Sequence, residues 1–177
     1  NGIGMDRADM EENLGTIAKS GSLAFKKAME KQEDIDIIGQ FGVGFYSAFM
    51  VADQITVITR KYGSDTAYQW KSSGADGYTI TECEKEAVGT DIIMHIKPDS
   101  DAEKFTDYMN KFVIRDLVRK YSDYIRYPIT MLCSRSKMVE GSDKDAEGNA
   151  KTPEYETVWE RETLNSMVPL WKRTKAS

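Results

Sequence analysis

Gly39-Gln40-Phe41-Gly42-Val43-Gly44-Phe45-Tyr46-Ser47 is the stretch whose residue types and spacing point most directly to chemistry. Three glycines in six positions let a backbone turn sharply and bring its N–H groups close to a ligand. Phe45 to Val51 can follow as a helix, with the glycines at its positive end. Unpaired N–H groups and the helix dipole make such a junction attractive to an anion, most often phosphate. No Gly-Lys-Ser/Thr follows, so this is not a P-loop, and GxxGxG is not the GxGxxG of a dinucleotide fingerprint. Read alone, the spacing is open to a tight turn as well as to a phosphate cradle. Elsewhere the sequence offers no nucleophile–base pair and no HExxH or CxxC. The single histidine, His95, falls in a strand, where a packed or surface role outweighs a catalytic one.

The elements that must hold this loop can be read in order. Asp6 suits the N-cap of a helix from Arg7 to Leu14, with Asp9 in its first turn and Gly15 as its stop. Met10, Leu14 and Ile17 share one face. Ser22 can cap a second helix to about Lys31. The stretch from Gly15 to Gly44 has glycine at both ends and a polar middle, a composition that fits a lid or a plain helical connection. From Gln54 the period becomes two, with Ile55, Val57 and Thr59 on one face and Thr56, Ile58 and Arg60 on the other. Turns at Tyr62–Asp65 and Gly74–Gly77 separate strands at Ala67–Lys71 and Tyr78–Glu82, and Thr90–Lys97 reads as a fourth, which together suggest an antiparallel meander. Asp101 to about Arg126 reads as a helix with a break near Val113–Ile114. Ile129–Cys133 and Tyr155–Glu162 read as strands, with Ser134–Pro153 a charged, mobile loop between them. Helices on one face of a mostly antiparallel sheet make a two-layer α+β sandwich.

The 177 residues suit one domain. A net charge of −5 and a pI near 5.1 argue against a nucleic-acid surface. No apolar run approaches the ~20 residues of a membrane span. Cys83 and Cys133 lie far apart, form no metal-ligand spacing, and fit a reducing cytosol at least as well as a disulfide.

Asn1-Gly2-Ile3-Gly4-Met5, Asn13-Leu14-Gly15-Thr16-Ile17-Ala18-Lys19-Ser20-Gly21 and the glycine loop, taken together and in this order, resemble the ATP-binding domain of the heat-shock protein 90 chaperones in a bacterial HtpG-like form. The resemblance runs from Asn1 to about Thr174. The family's first motif is Asp-x-Gly-x-Gly, and here the chain starts one residue after that aspartate and without Met. The expectation is therefore a partial ATP-binding domain over residues 1–165, with a lid at about 15–44 and the charged loop at about 134–153. Residues 166–177 would be a linker into a middle domain. The fold implied is that of the group shared with gyrase, histidine kinases and MutL.

By resemblance, Gly2, Gly4 and Met5 wall the adenine side, and Thr90 supports adenine recognition through hydrogen bonds and water. Asn13 corresponds to a polar residue near ribose and phosphates, and Lys19 to a lysine that reaches the nucleotide. Gly42, Val43, Gly44 and Phe45 would give backbone N–H groups to the phosphates, with Gln40 helping to place the terminal one. The family holds Mg²⁺ mainly through phosphates and water, and its catalytic glutamate, its Mg²⁺ asparagine and its adenine-reading aspartate precede Asn1. No catalytic or metal-ligating residue is thus assigned in this chain. The implied parent is a cytoplasmic, ATP-dependent homodimeric chaperone that binds ATP and ADP and acts on non-native client proteins, with no nucleic-acid or membrane partner. Alternatives are a gyrase- or MutL-type ATPase of the same fold group, or, for this stretch alone, a non-enzymatic nucleotide-binding or interaction module.

Overall fold

A computed structural model describes residues 1–15, 44–74, 77–140 and 152–169, which fall into two compact units, Asn1–Thr106 and Asp107–Ser177. The second helix expected from Ser22, most of the expected lid, and the distal part of the charged loop lie outside the described residues.

The first unit is built on four antiparallel strands: β1 (Ala52–Arg60), β2 (Ala67–Ser72), β3 (Tyr78–Cys83) and β4 (Gly89–Ile96). Along β1 the buried positions are Ala52, Ile55, Val57 and Thr59, so period two puts one face of the central strand into the core. Onto that face pack Met10 and Leu14 at the end of α1 (Arg7–Asn13) and Phe45, Ala48 and Phe49 of a 3-10 helix (Phe45–Met50), closing over Ile55, Val57 and Trp70. The α+β layering expected from the sequence is what this unit shows. The start of α1 follows its sequence: Asp6 Oδ1 accepts from the Asp9 N–H at 2.9 Å, and Asp9 Oδ2 accepts from the Asp6 N–H at 3.1 Å.

Two expectations for this unit need correction. The segment after the glycine loop is a 3-10 helix of 6 residues rather than an α-helix through Val51. The strands do not form a meander, because their order is β3-β2-β1-β4. Arg60 pairs with Ala67 on one side and Gly89 on the other, and Ala67 pairs with Cys83, so β3 finishes and β4 begins at the same end of the strands but on opposite edges of the sheet. The crossing spans three strand spacings, about 14 Å, which Glu84–Val88 can bridge at ~3.3 Å per residue. β1 has β-branched residues on both faces and accepts a ladder on each edge.

The second unit contains α2 (Lys111–Tyr121) and a hairpin of β5 (Thr130–Met138) with β6 (Tyr155–Thr163). The expected single helix is interrupted at Asn110, earlier than Val113. There the backbone is extended (φ −82°, ψ 123°), and the side chain caps α2 by accepting from the Phe112 N–H at 2.9 Å. A separate 3-10 turn, Phe105–Met109, precedes it. β5 also runs past Cys133 to Met138, into the stretch read as loop. Its charged residues alternate along a strand whose backbone is fully paired with β6, and pairing wins over composition. Asn165 is buried behind the hairpin, accepting from the Ile129 N–H and donating to Ile125 O and Tyr127 O at 2.8 to 2.9 Å. Among the described residues, no helix is long and apolar enough to cross a membrane.

Candidate functional site

The Asn1–Met5 loop lies across the carboxyl end of β1, and two of its glycines are left-handed, Gly2 at φ +98° and Gly4 at φ +69°. Gly4 has no room for a side chain: a Cβ there would lie 1.9 Å from Arg60 O. Next to it the Tyr62 N–H donates to Ile3 O at 2.7 Å, extending β1's hydrogen bonding onto the loop. The Met5 N–H donates to Thr59 Oγ1 at 2.9 Å. Thr59 is fully buried, and its hydroxyl also lies 2.9 Å from Thr90 Oγ1 and 3.2 Å from Gly89 O. Thr59 and Thr90 are directly opposed in the β1–β4 register. Met5 and Thr90, 85 positions apart in the chain, thus meet on one hydroxyl.

An ion-pair cluster holds α1 to the same end of the sheet. Lys61 Nζ lies 2.6 Å from Asp6 Oδ2 and 2.7 Å from Asp9 Oδ2. The hydrogen bond from Lys61, reinforced by the Asp9 N–H, holds the Asp6 carboxyl below its ordinary range, and the two carboxylates push the Lys61 ammonium upward. Asn13, at the end of α1, donates one amide proton to Asp9 O at 2.8 Å, which holds the side chain against the helix and leaves its second N–H and its oxygen to other partners.

Of the expected phosphate loop, Gly44 and Phe45 are described, whereas Gln40, Gly42 and Val43 lie outside the described residues, as does Lys19. Gly44 is right-handed (φ −60°, ψ −37°) and nothing stands within 4 Å of where its Cβ would be. The turn at Gly44 therefore does not require glycine for backbone reasons, contrary to what the loop's composition suggests. Its carbonyl accepts from the Ser47 N–H at 3.2 Å and from Ser47 Oγ at 2.6 Å. Phe45 turns its ring edge-on to Trp70, with centroids 5.5 Å apart. Tyr46 donates its hydroxyl to Leu14 O at 2.8 Å, and burial raises its pKa.

Beside these residues a cleft of about 480 Å³ opens between the end of α1 and the 3-10 helix, floored by Trp70 and walled by Tyr46, Phe49 and Tyr78. None of the described residues assigned to nucleotide by resemblance lines it. Among the described residues there is no group of three or more His, Cys, Asp or Glu placed to hold a metal ion. His95 is exposed on β4, its Nδ1 2.6 Å from Asp53 Oδ1. Both cysteines are free, Cys83 half-buried and Cys133 buried. The described residues thus bring together a backbone loop tied down at Gly4 and Met5 and a pair of threonine hydroxyls, with an aromatic cleft in the same unit.

Sequence reasoning missed Thr59 and Lys61. Thr59 shares one face of its strand with Ile55 and Val57, and a hydroxyl on an otherwise aliphatic face is itself the signal that something nearby needs a hydrogen bond. Lys61 carried no such signal, since its partners lie 52 to 55 positions away.

The family model described as histidine kinase-, DNA gyrase B-, and HSP90-like ATPase matches residues 1–92, and that described as Hsp90 protein matches residues 107–157. The chain is 52% identical to the Chaperone protein HtpG of Clostridium perfringens over 174 residues, 98% of this chain and 26% of that protein. It is 53% identical to the protein of the same name from Clostridium acetobutylicum over 174 residues, again 98% of this chain and 26% of that one. With its namesake from Bacillus subtilis the figures are 51% over 175 residues, 99% and 26%. The chain thus spans about a quarter of the length of the curated relatives it matches. A family match over more than half the chain leads to one conclusion: the chain belongs to the histidine kinase-, DNA gyrase B- and HSP90-like ATPase family.

Proposed function

We propose that this chain is the ATP-binding part of an ATP-dependent molecular chaperone. In the whole protein, ATP binding and hydrolysis would drive a conformational cycle on non-native client proteins. The observation that carries the proposal is the meeting of Met5 and Thr90 on the buried Thr59 hydroxyl. These two residues are assigned to the adenine by resemblance alone, and a shared anchor is what two walls of one base pocket require. The relatives named Chaperone protein HtpG and the Hsp90 match at residues 107–157 favour the chaperone over a gyrase- or MutL-type ATPase.

In this proposal Gly2, Gly4 and Met5 line the base, Thr90 hydrogen-bonds to it, and Asn13 and Lys19 serve the ribose and phosphates. The backbone of Gly42, Val43, Gly44 and Phe45, with Gln40 beside it, receives the phosphate chain. The 3-10 form of Phe45–Met50 leaves little helix dipole to help. Phosphate binding therefore rests on the N–H groups of the loop and on Lys19. Mg²⁺, where it accompanies ATP, is held by phosphate oxygens and water, coordination that suits this ion. The described residues supply no metal ligand set. Phosphoryl transfer depends on positioning and charge stabilisation, and these residues contribute the positioning. Residues 1–165 form the ATP-binding part and 166–177 the connection to a middle domain. The whole protein works as a cytoplasmic homodimer, without nucleic-acid or membrane partners. Titration of full-length protein with ATP, followed by phosphate release, tests the proposal. Saturable, ADP-competable binding with slow turnover is expected; absence of adenine-nucleotide binding overturns it.

A further inference from the structure

Thr59 has one proton to give and two lone pairs to receive with, and it is fully buried, so each of its contacts must be made within the protein. The Met5 N–H occupies one lone pair at 2.9 Å. The remaining neighbours are Thr90 Oγ1 at 2.9 Å and Gly89 O at 3.2 Å. Gly89 O can only accept. If Thr59 gave its proton to Thr90, the Gly89 contact would join two acceptors and form no bond. All three contacts are hydrogen bonds only when Thr59 donates to Gly89 O and Thr90 donates to Thr59. That arrangement commits the Thr90 proton inward and leaves the half-buried Thr90 oxygen able only to accept from a ligand.

We propose that Thr59 is a positioning and specificity-determining residue: it fixes Thr90 as a hydrogen-bond acceptor and thereby favours a purine with an amino group over one with an oxo group at the same edge. The inference rests on the nucleotide-binding reading above. Thr59 does not touch the ligand and acts through Thr90 and, through the Met5 N–H, on the loop that walls the base. Removing its hydroxyl would free the Thr90 proton to donate, and an oxo purine would then be accepted.

The test compares ATP with inosine triphosphate, whose base carries oxo in place of the 6-amino group and a proton on N1, in the full-length protein and its Thr59→Val and Thr59→Ser variants. Thr59→Val is expected to lower the ratio of ATP to inosine triphosphate affinity by about tenfold, the size of one net hydrogen bond. Thr59→Ser is expected to restore it. Should Thr59→Val fail to fold, Thr59→Cys, with its weak acceptor, is measured the same way. A merely structural role would weaken both nucleotides alike and leave the ratio unchanged, and that result, or no change in either affinity, overturns the inference alone. Wild-type protein that binds neither triphosphate overturns the nucleotide-binding reading and the inference with it.

Discussion

Gly4→Ala tests the loop against β1 most directly. At φ +69° an L-residue pays ~1–2 kcal/mol for the left-handed conformation. The added Cβ would also lie 1.9 Å from Arg60 O, a backbone atom in a paired strand that cannot swing aside. The loop must therefore lift, and lifting breaks the Tyr62 N–H to Ile3 O bond at 2.7 Å and the Met5 N–H to Thr59 bond at 2.9 Å. Each is worth about 0.5–1.5 kcal/mol net, so the total comes to about 2–5 kcal/mol. Against a net stability of ~5–15 kcal/mol this is a large fraction. With a urea slope of ~1–3 kcal/mol/M, it lowers the unfolding midpoint by about 0.7 M or more. Gly2→Ala is the control, because Gly2 is also left-handed, at φ +98°, yet nothing stands within 4 Å of its Cβ position. It should lose only the conformational part, ~1–2 kcal/mol. Urea unfolding followed by tryptophan fluorescence and circular dichroism reads both, and ATP affinity in the full-length protein should vanish for Gly4→Ala. Equal midpoints for the two variants would show that the loop does not press on Arg60, and the reasoning would fail.

Two further outcomes follow from the same end of the sheet. Gly44→Ala should keep or raise stability by ~0.4–1 kcal/mol, because alanine fits the right-handed backbone and only the unfolded chain loses freedom; a midpoint clearly below wild type would refute the open position. The Lys61–Asp6–Asp9 cluster should give Lys61→Met a stability deficit that is level near neutral pH and narrows at both extremes. Asp6, held below its ordinary 3.8, stabilises above that value and loses its contribution as pH falls through its lowered folded pKa, while Lys61, raised above 10.5, stabilises below that value and loses its contribution as pH rises through its raised one. Urea midpoints of both proteins across pH check this, and a gap of constant size in acid would remove the cluster as its cause.

What was legible in the sequence was local. Asp6 as a cap, the shared face of Ile55, Val57 and Thr59, and the turns before β2 and β3 each depend on residues within a few positions of one another. The errors arise where distant segments decide. Whether Phe45–Met50 winds as α or 3-10 depends on seating Phe45 and Phe49 against Trp70, not on propensity over six residues. β5 continues through Arg135 and Lys137 because β6 offers a matching ladder, and Arg135 finds Glu162 there, which also receives Arg115. A charged, glycine-bearing stretch gives no sign of that partner.

The strand order decides whether Thr59 and Thr90 meet at all. In a meander β4 would lie beside β3, with Gly89 next to Cys83, and Thr90 would stand three strand spacings, about 14 Å, from Thr59. No side chain of threonine's length bridges that gap. Only the crossing to the outer edge of β1 sets Thr90 opposite Thr59 and brings Gly89 under the Asn1–Met5 loop, where a Cβ would lie 3.1 Å from Asn1. Gly89, at φ +119°, supplies the backbone freedom for the chain to enter β4 there without a side chain striking that loop. The residues the resemblance assigned to adenine are ordinary in isolation, two glycines, a methionine and a strand threonine. Their convergence at one end of the sheet comes from a connection of five residues whose length permits the crossing and whose composition does not announce it.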